Sequence, residues 1–141
     1  MDEVEMFEKK GQVIYGIARI DHLLTELDAW FIGHRRSQSE QPFETPDSKF
    51  EIRRNAARVY FSRNGASEDT IAAFFEVLAL FRDLEQDCER LGLENPALVS
   101  SMLIRTKELH LSAAEILENI GYKGFPASKL RQRAEEIQTP R

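Results

Sequence analysis

Residues 67–92, SEDTIAAFFEVLALFRDLEQDCERLG, decide the fold. Read at helical spacing, Thr70, Phe74, Val77, Phe81, Leu84, Cys88 and Leu91 recur at steps of four and three and fall on one stripe. Ile71, Phe75 and Leu78 lie beside that stripe. More than half of the circumference near the helix start is therefore apolar, which predicts neighbours on several sides and a place at the centre of a bundle. Ser67 is the expected N-cap, Glu68 and Asp69 suit the first turn, and Gly92 closes the helix.

Two further segments carry the same periodicity. Upstream, a long helix is expected from Glu5 to Ile32, with Met6, Val13, Ile17, Ile20, Leu24, Leu27 and Phe31 at heptad spacing and Lys10 in the one gap. Gly11 and Gly16 each cost about 1 kcal/mol inside a helix relative to alanine. They either loosen the first turns, with fraying before Gly11, or let a neighbouring backbone approach closely. Downstream, Asn95-Pro96 is an N-cap followed by proline at the first helical position. The helix it opens keeps Val99, Met102, Thr106, Leu109, Ala113, Ile116 and Ile120 in one series and ends at Gly121.

The remaining elements are shorter. His34, Arg35 and Arg36 end the first helix with positive charge, and a polar segment, Ser37 to Pro46, is expected to be a mobile loop. Asp47 or Ser48 then caps a second helix from Lys49 to Arg63, stopped by Asn64-Gly65. Tyr122 to Ala127 turns the chain into a last helix, Ser128 to Gln138, whose only apolar contacts are Leu130, Ala134 and Ile137. Such a segment is expected to dock weakly or to be partly ordered. The sum is an all-α, antiparallel up-and-down four-helix bundle with a short fifth C-terminal helix, in a single domain over residues 1–141.

Composition narrows the function classes. A chain of 141 residues can bury roughly two-thirds of the surface its unfolded form exposes, enough for a core without staples. The one cysteine, Cys88, sits in the apolar stripe, which excludes a disulfide framework and suits a reducing, cytoplasmic setting. Asp2, Glu3, Glu5 and Glu8 are the opposite of the cationic start of a signal peptide, and no apolar run approaches the ~20 residues that span a bilayer. A net charge of −5 disfavours a dedicated nucleic-acid or anionic-membrane binder. There is no glycine-rich phosphate loop, nucleophile elbow or cysteine pair for zinc, and none of His22, His34 or His110 follows a glutamate at the spacing of a di-iron bundle. No metal or other cofactor is expected, and His22 with Glu26 reads as a solvated surface pair.

The charges that break the apolar pattern are the most informative. Arg53 lies inside the arc formed by Ile52, Ala56, Ala57 and Tyr60; Glu85 interrupts the arc of the central helix; Asp21 and Asp28 border that of the first. A buried charge is costly unless paired, so Arg53 is expected to meet Glu85, Asp21 or Asp28 and so fix helix register. Arg54 and Arg58, one turn apart and directed away from the core, are candidate phosphate contacts.

Arg105-Thr106-Lys107-Glu108-Leu109-His110 resembles the Arg-x4-His pattern of the HEPN family, helical-bundle ribonucleases whose arginine and histidine act on RNA at a dimer interface. The resemblance implies Arg105 and His110 as catalytic residues. Five residues of straight helix separate two side chains by about 140°, so both could grip one phosphate only through the reach of Arg105 or a partner subunit. Against that alternative stands a non-enzymatic interaction or regulatory module, self-associating as a homodimer or bound to another helical protein. Phe7, Trp30 and Ile32, outside the main stripe of the first helix, motivate it. Ligand binding within the bundle is a third class, supported only by core volume.

Overall fold

A computed structural model describes residues 2–33 and 45–137. It contains five helices: α1 (Glu3–Ile32), α2 (Pro46–Asn64), α3 (Glu68–Leu91), α4 (Pro96–Ile120) and α5 (Ala127–Glu136), with no strand among the described residues. The first four form an up-and-down ring, in which α1 packs on α2, α2 on α3, α3 on α4 and α4 back on α1, while α5 lies against α4. Of the loop expected from Ser37 to Pro46, residues 37–44 lie outside the described residues, as do the basic residues 34–36 and the helix end at Gln138, while Thr45 and Pro46 form the cap and first position of α2.

Local chemistry sets the helix ends. Asp2 caps α1 by accepting a hydrogen bond from the Glu5 backbone N–H at 2.8 Å, so the helix begins at Glu3 and runs through Gly11 without the expected fraying. In α2 the cap is Thr45, ahead of the expected Asp47 or Ser48. Thr45 Oγ1 accepts from Ser48 N and Ser48 Oγ accepts from Thr45 N, and Pro46 sits at the first helical position, where its missing N–H costs nothing. Ser67 and Asn95 cap α3 and α4 as expected.

The hub of the bundle is α4, not α3. Its Val99, Met102, Thr106, Leu109, Ala113 and Ile116 are buried, and so is a second row, Leu103, His110, Ala114 and Leu117. Two buried rows give α4 three neighbours, α1, α3 and α5. By contrast α3 buries Phe74, Val77, Leu78, Phe81 and Leu84, and leaves Leu80 and Leu91 exposed. The fifth helix docks firmly: Leu130, Ala134 and Ile137 are all buried, and Arg131 forms an ion pair with Glu118 of α4. Tyr122, Phe125 and Ala127 add partly buried contacts with the core.

Gly16 is the other close approach. A Cβ placed there would stand 2.2 Å from Thr106 Cγ2 and 3.5 Å from His110 Cε1, so glycine is what permits the α1–α4 contact. Gly11 has open space around the same position.

Candidate functional site

Arg53 is 5% exposed in α2 and donates through Nη2 to the Asp21 carboxylate at 2.8 Å, the Asp21 carbonyl at 3.2 Å and Thr25 Oγ1 at 3.1 Å. One turn earlier, Lys49 reaches the Asp21 carboxylate at 3.0 Å and Glu85 Oε2 of α3 at 2.7 Å. Both cations lie within 6 Å of the Phe81 ring centroid, where the ring face adds a weak attraction. Three helices are thus tied by two cations and two carboxylates. Asp28 is buried two turns beyond Asp21 on α1, while the hydrogen bonds of Arg53 and Lys49 among the described residues go to Asp21, Thr25 and Glu85.

The two carboxylates are not equivalent. Burial works against ionising Asp21, yet hydrogen bonds and charge from Arg53 and Lys49 outweigh it and hold its carboxyl below the ordinary range. Glu85 has Lys49 as its hydrogen-bonding cation, and burial together with the negative charge of Asp21 pushes its carboxyl up. Lys49, between two acids, is held above the ordinary lysine range despite its own burial. Glu85 is the member of the cluster that takes a proton first as pH falls. Lys49 and Thr25 are the members that sequence reasoning did not identify.

Arg105 and His110 face different sides of α4. Arg105 donates to Asp87 Oδ2 of α3 at 2.8 Å and borders an open groove of about 380 Å³ shared with Leu80 and Glu108. His110 is 0% exposed beneath Gly16 of α1, and its Nδ1 donates to the Thr106 carbonyl at 2.8 Å. Burial lowers its pKa, and the charges of Arg19 and Arg133 act in the same direction, so the imidazole is neutral and Nε2 is an acceptor. That nitrogen has no hydrogen-bond partner among the described residues. The two residues share no cleft within one subunit.

Of the proposed phosphate contacts, Arg54 is held by Glu51 at 2.6 Å and lies over the Phe50 ring, while Arg58 is exposed. His22 and Glu26 form a surface pair at 3.1 Å. Among the described residues, no group of three or more His, Cys, Asp or Glu side chains could hold a metal ion, and no helix is long and apolar enough to cross a membrane.

The leftover apolar residues divide in two. Trp30 packs against Tyr60, tilted, at 4.8 Å and against Tyr122, edge-on, at 5.2 Å between ring centroids, and Ile32 packs on the core. Phe7 does neither. It is 77% exposed, and with Val4 (69%) and Ile14 (59%) it forms a row at steps of three and seven, with Gly11 between, on the side of α1 opposite its buried stripe. Tyr15, 66% exposed, borders that row.

The architecture defines an all-α bundle with an appended helix. No protein-family model matches this chain, and no curated protein or solved structure matches it significantly.

Proposed function

We propose that this protein is a non-enzymatic helical interaction module that self-associates through the N-terminal half of α1, in a cytoplasmic setting. The observation that carries the reading is the exposed row Val4, Phe7 and Ile14 on the face of α1 turned away from its own core. An apolar row of that kind costs solubility without adding to the subunit's stability, and covering it with a second copy is the commonest outcome. Gly11 fits the same reading: it lowers helix propensity, a side chain there would meet nothing among the described residues, and it would let a partner helix come close.

Sedimentation at micromolar concentration tests the proposal. The wild type is expected to be a dimer, and Phe7→Glu to be a monomer with unchanged helicity, because a charge at the centre of an apolar interface costs about 2 kcal/mol or more of association. A wild-type chain that stays monomeric at about 100 μM, where a Kd near 1 μM would give mostly dimer, removes the reading.

A further inference from the structure

The exposed row on α1 is the open half of a longer seam. Val4, Phe7, Gly11, Ile14 and Ala18 recur at steps of three and four, and the same steps lead on to Asp21, Thr25 and Asp28. Helix α2 covers the far half: Lys49 and Arg53 bind Asp21, Arg53 also binds Thr25, and Tyr60 packs against Trp30 beyond them. The members of the near half, from Val4 to Ala18, are all exposed. Chemistry changes where the cover ends. Downstream the seam is polar and answers the cations of α2; upstream it is apolar, and it suits an apolar helix.

Size and charge identify that helix as the same row of a second copy, run in the opposite direction. Large and small residues alternate along the near half, Phe7 and Ile14 with Gly11 and Ala18. With a two-fold axis level with residues 12 and 13, Phe7 stands level with the partner's Ala18 and Ile14 with the partner's Gly11, so each large side chain meets a small one. The flanking charges agree. Glu8 and Arg19 lie three turns apart on the same edge of the seam, and the antiparallel pairing brings Glu8 within two residues' rise, about 3 Å, of the partner's Arg19. Arg19 is held over the Tyr15 ring at 5.0 Å, and neither it nor Glu8 makes an ion pair among the described residues. A parallel pairing in register fails on both counts: Phe7 meets the partner's Phe7, Gly11 faces the partner's Gly11, and Glu3 lies beside the partner's Glu8.

We propose, resting on the self-association above, that two copies join as an antiparallel pair of α1 helices through residues 7–18, with Phe7 seated on the partner's Ala18, Ile14 on the partner's Gly11 and Glu8 paired with the partner's Arg19. The second copy thus takes up the seam where α2 leaves it.

The test is sedimentation of the full chain in charge-reversed forms, with helicity read alongside. Glu8→Arg and Arg19→Glu are each expected to weaken association about tenfold, since both symmetry-related pairs become like charges, and the two changes in one chain to restore it to within about threefold of wild type. Within one subunit Glu8 and Arg19 stand about 16 Å apart along α1, so rescue reports contact between copies. Covalent trapping gives the direction independently. Under oxidation, Ala18→Cys mixed with Phe7→Cys is expected to yield a disulfide-linked dimer and Ala18→Cys alone none, because the antiparallel pair holds its two copies of residue 18 about 16 Å apart. No loss in the single variants, losses that add in the double variant, or a dimer trapped by Ala18→Cys alone overturns the antiparallel pairing and leaves self-association standing. A wild-type chain that is monomeric at about 100 μM removes both.

Discussion

Arg53 and His110 both enter the interior of this bundle, and they are handled in opposite ways. Arg53, between α1, α2 and α3, keeps its charge and is met by Asp21, with Lys49 and Glu85 extending the cluster toward the surface. His110, between α1, α4 and α5, gives up its charge and spends one N–H on the backbone carbonyl four residues earlier. The difference lies in what each group can discard. A guanidinium cannot deprotonate, so the fold must bring counter-charge from another helix; an imidazole becomes neutral for little, so its own helix is enough. The charged seam therefore specifies which helices meet, whereas the neutral seam demands only space.

The contrast is broken most strongly at Asp21. Asp21→Leu leaves Arg53 buried without its main acceptor and is expected to cost about 3 kcal/mol of unfolding free energy in urea, while Asp21→Asn, which keeps an acceptor, should cost roughly half of that. Equal losses would mean that the charge, not the hydrogen bond, holds the seam. On the neutral side, Gly16→Ala drives a methyl into Thr106, whose β-branched side chain is pinned by a 2.7 Å bond from Oγ1 to the Met102 carbonyl. Overpacking of that sort costs about 1–3 kcal/mol by thermal or urea unfolding.

Protonation separates the seams without mutation. His110 has a folded-state pKa below its unfolded value, so the unfolded chain binds the extra proton, and stability falls as pH drops below about 6.5, by at most about 1.4 kcal/mol per pH unit. Asp21, depressed by its cations, contributes stability that is present at neutral pH and disappears only as acid reaches its lowered folded pKa. Glu85, raised by burial, works the other way, since its folded form takes up a proton first and the penalty of holding it ionised is relieved on acidification. His110→Leu should flatten the slope just below pH 6.5 in a series of urea unfolding curves; an unchanged slope would show that the imidazole titrates normally in the folded chain. The smallest effect belongs to Gly11→Ala, where open space surrounds the site: a gain of about 0.5–1 kcal/mol in subunit stability is expected by thermal unfolding.

Much of this was legible in the sequence, and the gaps have physical causes. Arg53 stood out because it interrupts an apolar arc, and Asp21 was named as a partner because it borders the facing one. Lys49 was not seen: with the cap placed at Asp47 or Ser48, it stood at the helix edge, whereas the Thr45 cap and Pro46 put it a full turn inside α2 and one turn before Arg53. The pre-eminence of α4 was hidden for a related reason. A single series from Val99 to Ile120 accounts for one neighbour, and the second row through Leu103, His110, Ala114 and Leu117 becomes visible only when α1 and α5 are seen to occupy it. Periodicity identifies a face; it does not count how many faces are used. For Gly16 the sequence left two readings open, and only the position of Thr106 distinguishes close approach from a loosened turn. Arg105 and His110 illustrate the converse. Five residues along one helix set the angle between them, but which neighbour each would meet, Asp87 or Gly16, depends on the packing order of the ring.

The closure of that ring has a consequence for how the molecule comes apart. Because the backbone of α5 lies against α4 rather than against α1, α2 or α3 among the described residues, it can peel away while every junction among α1 to α4 remains, so its amides should exchange with solvent through a partial opening that leaves the rest protected. The ion pair between Arg131 and Glu118 parts in that event, and Leu130, Ala134 and Ile137 lose their shelter together.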